Sequence, residues 1–170
     1  SKPKNHRFLI NVFASLHKLD TKTVLLLVGD GELRSELEMQ VNRTGLKDSV
    51  IFVGSRSNTQ DYYQAMDVFA FPSLWEGLGM SVIEAQCSGL HCVVSERIPD
   101  AVNMMVGLVD VRSLSDKEGW IETLRQTNGS RKSQLEAVRE AGYDVTENAS
   151  RLERFYIKIS NENQEITLCI

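Results

Sequence analysis

Two spacings of apolar residues alternate along the chain. From Asn5 to Leu19 they fall at Phe8, Leu9, Val12, Phe13, Leu16 and Leu19, the three-to-four-residue recurrence that lines one face of a helix. Asp20 to Thr23 break that stripe. Thr23–Val28 is then β-branched and leucine-rich without polar alternation, which predicts a strand buried on both faces, as in a parallel sheet. Gly29-Asp30-Gly31 ends the strand, Leu33, Leu37 and Val41 start the next helical stripe, and Gly45 stops it.

The same unit recurs. Ser49–Val53 predicts a second strand ended by Gly54, and Thr59–Met66 a short helix with Tyr62, Tyr63 and Met66 inward. Val68–Phe71 is a third strand closed by Pro72-Ser73, followed by a loop through Leu74 to Gly79 and a helix from about Met80 to Ser88. His91–Val94 is a fourth strand, and Val106–Val109 a candidate short fifth. Three amphipathic helices follow, at Ser115–Gln126, Ser130–Ala141 and from Asp144 to about Ile159. Strands alternating with helices predict βαβ units with right-handed crossovers. The expected fold is therefore α/β, a Rossmann-like open parallel sheet with helices on both faces. The predicted organisation is one domain over residues 1–160 and a polar tail over 161–170.

Charge and composition narrow the function classes. The chain of 170 residues has 19 Lys+Arg against 23 Asp+Glu, a net charge of −4, which argues against a nucleic-acid partner, since that needs a basic face. No apolar run approaches the roughly 20 residues of a membrane helix. The three cysteines, Cys87, Cys92 and Cys169, have no metal spacing and predict two core thiols and one tail thiol in a reducing compartment. His6, His17 and His91 show no ligand spacing either; the expectation is two surface helix residues, one strand-start residue and no metal site. The opening Ser-Lys-Pro-Lys-Asn suggests a fragment of a longer protein.

In open parallel sheets, ligands bind outside the carboxyl ends of the strands. That directs attention to Gly29-Asp30-Gly31, Gly54-Ser55-Arg56, Pro72–Gly79 and Ser95-Glu96-Arg97. The third segment places Gly77 and Gly79 just before a helix start, where free N–H groups and the positive end of the helix favour a phosphate. A plain βα turn, with glycines for geometry alone, is the alternative reading. Glu76 lies in that loop and Glu84 within the helix. A carboxylate among apolar neighbours such as Val82, Ile83 and Ala85 calls for a partner, and a vicinal diol such as a ribose suits it; a surface salt bridge is the other option. Lys4 and Arg56 could add positive charge at this edge, or be solvated surface charges.

These residues carry a resemblance. The stretch from Val24 to Val94 resembles the C-terminal domain of retaining glycosyltransferases of family 4, which have the GT-B fold. The matching pieces are Leu27-Val28-Gly29-Asp30-Gly31-Glu32-Leu33, Val50-Ile51-Phe52-Val53-Gly54, Ala65-Met66-Asp67-Val68-Phe69 and Pro72-Ser73-Leu74-Trp75-Glu76-Gly77-Leu78-Gly79. Ile83-Glu84-Ala85 and Gly89-Leu90-His91-Cys92-Val93-Val94-Ser95 complete them. Glu76 and Glu84 have the spacing of the family's E-x7-E motif. Bacterial enzymes that build capsular or exopolysaccharide are the most similar members.

The resemblance implies a nucleoside-diphosphate (NDP) sugar as donor substrate, a UDP-sugar favoured over a GDP-sugar, with no cofactor and no metal. Glu76 is implied as the catalytic residue, holding hydroxyls of the transferred sugar. The backbone of Gly77, Leu78, Gly79 and Met80 would take the diphosphate and Glu84 the ribose hydroxyls. Lys4 would neutralise the diphosphate, while Gly54 to Arg56 would lie beside the base and Gly29 at the same edge. A saccharide or lipid-linked acceptor would bind through an N-terminal domain outside this chain. The full-length protein is expected in the bacterial cytoplasm, with peripheral association at the inner face of the membrane. Three departures are visible: the family's paired arginine would precede Ser1, Asn5 stands where glycine is usual, and Glu96-Arg97-Ile98-Pro99-Asp100 replaces Gly-Gly-x-Pro-Glu. A GT-B-type sugar-nucleotide epimerase and a non-catalytic nucleotide-binding module remain as alternatives.

Overall fold

The computed structural model describes residues 2–104, 106–127, 131 and 134–161. The chain divides into two compact units, Ser1–Gln134 and Leu135–Ile170. In the first, a 3-10 turn at Lys2–Lys4 leads into α1 (His6–Leu19), β1 (Leu25–Val28), α2 (Arg34–Arg43), β2 (Val50–Gly54) and α3 (Thr59–Ala65). Then come β3 (Val68–Phe71), α4 (Met80–Cys87), β4 (His91–Ser95), a 3-10 turn at Asp100–Val102, β5 (Val109–Arg112) and α5 (Lys117–Gln126).

All strand pairs are parallel, but they make two ladders, β1–β2 and β3–β4–β5, where the periodicity predicts one open sheet. Side-chain packing joins them. Helix α1 buries Leu9, Ile10 and Phe13 in a cluster with Leu27, Leu37, Val41 and Val50, and buries Val12 in a second cluster with Val93, Trp120 and Leu124. Leu16 and Ala70 pack against both clusters. One amphipathic helix thus covers both ladders, and its wide apolar stripe is the reason it can. Trp120 closes the second cluster: it is fully buried, packs edge-on against Phe8 at 5.5 Å, and donates its indole N–H to Ser113 O at 3.0 Å.

The fifth strand begins three residues later than the sequence reading placed it. Gly107 turns the chain at φ +71°, Cys92 N–H donates to Leu108 O at 2.7 Å, and His91 Nε2 lies 2.6 Å from Asp110 Oδ2. These contacts select the Val109–Arg112 register against β4.

The second unit contains α6 (Leu135–Glu140) and α7 (Val145–Asn161). Asp144 starts α7 by accepting the N–H groups of Thr146 and Glu147 at 2.9 and 3.0 Å. Those backbone bonds, that of Glu147 foremost, together with Arg139 hold its carboxyl below the usual range. The helix predicted from Ser130 starts at Leu135, with residues 128–130, 132 and 133 outside the described set. The predicted tail beyond Asn161, Cys169 included, also lies outside it. Of the other thiols, Cys92 is a core group pushed up to about 12 by burial, and Cys87 is partly exposed.

Candidate functional site

The segments that follow the strands are tied to one another at the carboxyl ends. Gly29 N–H donates to Gly54 O at 2.8 Å, Ser95 Oγ to Ser73 O at 2.5 Å, and Leu114 N–H to Glu96 Oε2 at 2.9 Å. These bonds join the first two post-strand segments to each other behind β1 and β2, and the last two to each other behind β3 and β4.

The loop after β3 is built from the chain's beginning as well as from its own residues. Pro72 and Ser73 are buried, and Pro3 O accepts both Leu74 N–H, at 2.7 Å, and Ser73 Oγ, at 2.9 Å. Asn5 then takes a left-handed conformation, φ 53° and ψ 40°, that turns the chain from the 3-10 segment into α1. Asparagine tolerates that region better than most side chains, which accounts for its standing in a glycine position.

This anchoring brings Lys4 to Glu76. Lys4 Nζ lies 2.8 Å from Glu76 Oε1 and 4.7 Å from the centre of the Phe71 ring, so Lys4 is not a solvated terminal charge. The Glu76 side chain is 13% exposed and that of Lys4 37%. Ser73 Oγ is 2.5 Å from the same carboxylate oxygen. His6, expected at the surface, is half-buried instead, and its Nδ1 is buried without a hydrogen-bond partner. Burial, followed by nearby positive charge that includes Lys4, pushes its pKa below the ordinary histidine value and favours the neutral ring. His17, also expected at the surface, is half-buried between Thr23 and Ser49, at the amino ends of β1 and β2.

Helix α4 starts at Gly79, φ +84° and ψ 45°, with no side-chain cap, so its first-turn N–H groups have no side-chain acceptor. A Cβ on Gly79 would stand 3.1 Å from Val102 Cγ1. Gly77, Leu78 and Met80 around this helix start are exposed. Gln86, fully buried, fixes the neighbouring 102–104 segment by donating to Val102 O at 2.6 Å and accepting Met104 N–H at 3.3 Å.

Glu84 differs from the sequence expectation in one respect. Its apolar neighbours face inward while Glu84 itself is exposed, so burial does not force a partner on it. It has no ion pair among the described residues; Tyr63 Oη donates to its Oε2 at 2.9 Å. Burial first, and this bond second, raise the Tyr63 pKa, so the phenol stays a neutral donor. Arg56 is exposed and is not brought to the Lys4–Glu76 pair. A cavity of about 1430 Å³ runs between the two ladders; Lys4, His6, Gly29, Tyr63, Ser81 and Glu84 are among its lining residues. Sequence reasoning overlooked Ser73, Tyr63 as a polar group, and Gln86. Ser73 lies within the post-strand segment and the quoted motif piece, but neither gives its hydroxyl a role.

Comparisons with known proteins bear on this arrangement. The family described as Glycosyl transferases group 1 matches residues 1–126. EpsF of Bacillus subtilis (strain 168), named as a glycosyltransferase, is 35% identical over 164 residues, which are 94% of this chain and 42% of EpsF. The UDP-Gal:alpha-D-GlcNAc-diphosphoundecaprenol alpha-1,3-galactosyltransferase of Escherichia coli is 40% identical over 74 residues, 43% of this chain and 19% of that enzyme. Among solved structures, HepE of Anabaena in complex with UDP-glucose superposes with a TM-score of 0.70 at 24% identity, over 93% of this chain and 46% of HepE. The chain spans less than half the length of each of these proteins.

Proposed function

Since the chain belongs to the glycosyl transferases group 1 family, we propose that it is the donor-binding part of a retaining sugar transferase of the family-4 type. The reaction moves a sugar from an NDP-sugar to a saccharide or lipid-linked acceptor, and the bond that breaks joins the anomeric carbon to a diphosphate oxygen. The observation that carries this reading is the Lys4–Glu76 pair beside the uncapped start of α4. It sets a cation, a carboxylate and free N–H groups around one loop, as a sugar linked to a diphosphate requires.

In this reading the charge that develops on the leaving diphosphate meets Lys4 and the first-turn N–H groups of α4, aimed before the substrate arrives. An ammonium has three donors, so Lys4 can keep Glu76 and still reach a phosphate oxygen. Glu76 accepts hydroxyls of the transferred sugar. Glu84, with one oxygen held by Tyr63, offers the other to the ribose diol. Positive charge from the protein makes a metal unnecessary. A UDP-sugar is the favoured donor; the UDP-Gal in the name of the E. coli relative and the UDP-glucose bound to HepE support that choice. The acceptor belongs to the part of the longer protein that this chain does not cover, which works at the inner face of a bacterial membrane.

Calorimetry with a panel of nucleotides and NDP-sugars tests the reading, with and without EDTA. We expect weak binding of a nucleoside diphosphate that survives the chelator and weakens with salt, and no sugar transfer by residues 1–170 alone. Loss of binding in EDTA with recovery in Mg²⁺ or Mn²⁺ would contradict the metal-free site. A product assay on the full-length protein distinguishes transfer from epimerisation.

A further inference from the structure

The loop after β3 contains a buried hydroxyl with more acceptors than it can serve. Ser73 is fully buried. Its Oγ lies 2.5 Å from Glu76 Oε1, 2.9 Å from Pro3 O and 3.2 Å from Trp75 O. A serine has one proton to donate. Pro3 O already accepts the Leu74 N–H, whereas the Glu76 carboxylate is charged and nearest. Bonds of this length between a hydroxyl and a carboxylate are charge-assisted, so the proton goes to Glu76.

Lys4 Nζ donates to the same oxygen at 2.8 Å. Two donors therefore converge on Oε1. Among the described residues Oε2 has no hydrogen bond, and it is not a buried orphan: His6 Nδ1 is the one such side-chain atom. The fold holds the carboxylate by Oε1, which leaves Oε2 as its available acceptor. Ser73 is in turn fixed from β4, where Ser95, also fully buried, donates its hydroxyl to Ser73 O at 2.5 Å and accepts the Arg97 N–H at 3.3 Å. Lys4 reaches the carboxylate on a four-carbon stem and is 37% exposed, whereas Ser73 has one side-chain torsion and is fully buried. Of the two donors, the serine is the one whose position the fold dictates.

We propose that Ser73 is a positioning residue for the transferred sugar: it fixes Glu76 through Oε1 so that Oε2 is presented to a sugar hydroxyl. This rests on the reading of Glu76 as the sugar-binding carboxylate. It assigns the serine no contact with substrate. Its effect must therefore pass through Glu76 and must concern the sugar rather than the nucleotide.

The test uses the full-length protein and two probes, UDP and the UDP-hexose that binds tightest in the calorimetric panel. The readout is the ratio of their dissociation constants, the increment due to the sugar. In the parent that ratio should favour the UDP-hexose, and Glu76→Ala should abolish the preference. Ser73→Ala should reduce the ratio by roughly tenfold or to unity, whichever comes first, while UDP affinity stays within about twofold. In the Glu76→Ala background, Ser73→Ala should change the ratio no further, since coupled residues are not additive. Ser73→Cys keeps the size and a weak donor, and should recover part of the loss; it also serves if Ser73→Ala does not fold. If Glu76→Ala leaves the ratio intact, the reading of Glu76 fails, and this proposal with it. If Glu76→Ala removes the preference but the folded Ser73 variants keep it, or lose UDP affinity equally, Glu76 stands and the positioning role is overturned.

Discussion

The two ladders end in differently built edges. Behind β3 and β4 the chain is cross-braced: Ser95 holds Ser73, Pro3 holds both Ser73 and Leu74, and Lys4 and Ser73 converge on Glu76. Behind β1 and β2, one backbone bond joins Gly29 to Gly54, and the residues beyond it, Asp30, Gly31, Ser55 and Arg56, are exposed. There Arg34 pairs with Glu38 and Asp30 on the surface of its own helix and loop. The contrast separates two kinds of recognition. The braced edge can impose direction, because its donors and acceptors are immobilised and partly shielded from water, where each hydrogen bond counts for more. The open edge can offer surface and charge, which water and salt screen. On the function proposed above, sugar and diphosphate would be held at the first, and a base would be contacted at the second. Substitutions at the two edges should accordingly differ in size and in salt dependence.

The largest effect belongs to the helix start at the braced edge. Gly79→Val places a β-branched side chain at φ +84°, a region that costs an L-residue roughly 1–2 kcal/mol. Its Cβ would also press on Val102 at 3.1 Å, a residue that buried Gln86 keeps from yielding. Both the N–H geometry and the stability of α4 should suffer, so nucleoside diphosphate binding should disappear and the melting temperature fall. Gly77→Ala is the control. A Cβ there meets nothing within 4 Å, and Gly77 is not among the positive-φ glycines. Its melting temperature should match the parent, so any loss of affinity reports the methyl group standing in the ligand's path. A folded Gly79→Val that binds like the parent would remove the helix start from the site.

Next in size is Glu84→Gln, which tests whether the exposed glutamate of α4 serves the ribose. The substitution keeps shape and removes the charge that strengthens bonds to a diol, each worth roughly 1.5–3 kcal/mol with the charge and about half that without it. Nucleotide affinity should fall about tenfold or more and stay lowered at high salt, because a hydrogen bond is directional and short-ranged. Glu84 is exposed, so stability should hardly change. Tyr63→Phe should reproduce part of the loss, since Tyr63 Oη is what orients the carboxylate, at 2.9 Å. An unchanged dissociation constant in folded Glu84→Gln would sink the assignment.

The same contrast explains what the sequence made legible. The first four strands and helices α1 to α5 follow from local periodicity and hold in the structure to within a residue or two, whereas the fifth strand begins at Val109 rather than Val106. The glutamates were visible because a motif spaces them. The bracing was not, because it is made by partners 70 and 72 residues apart, Ser73 with Pro3 and Lys4 with Glu76, and no local pattern encodes a contact of that range. Ser73 and Tyr63 were hidden for another reason. Each satisfies an ordinary local role, a strand stop or an inward helix residue, and their polar atoms acquire a task only once the fold supplies a carboxylate. The exposure of Glu84 was left open in the sequence because its neighbours are apolar, whereas on a helix adjacent residues face different sides. The division of the sheet between β1 and β3 leaves no trace in the periodicity either, since both strands are uniformly apolar.

The smallest expected effect is at Arg56, and it tells most about the open edge. Arg56 is exposed and far less constrained than Lys4, which is held against Glu76 and the Phe71 ring. A charge in water attracts an opposite charge by about 1 kcal/mol at contact distance, and salt screens even that. If Arg56 acts only as charge beside the nucleotide, Arg56→Ala should weaken nucleoside diphosphate binding by about fivefold at most in low salt, and by almost nothing near 0.5 M salt. Arg56→Lys should then restore binding, because a point charge is all that is required. Guanidinium stacking on a base gives the opposite pattern: a loss that persists in salt, that lysine does not repair, and that differs between uridine and guanosine diphosphates. Titrating both variants against both nucleotides at two salt concentrations decides between them. A salt-independent loss of tenfold or more would show that the edge behind β2 imposes direction after all, and the comparison between the two edges would then have to be redrawn.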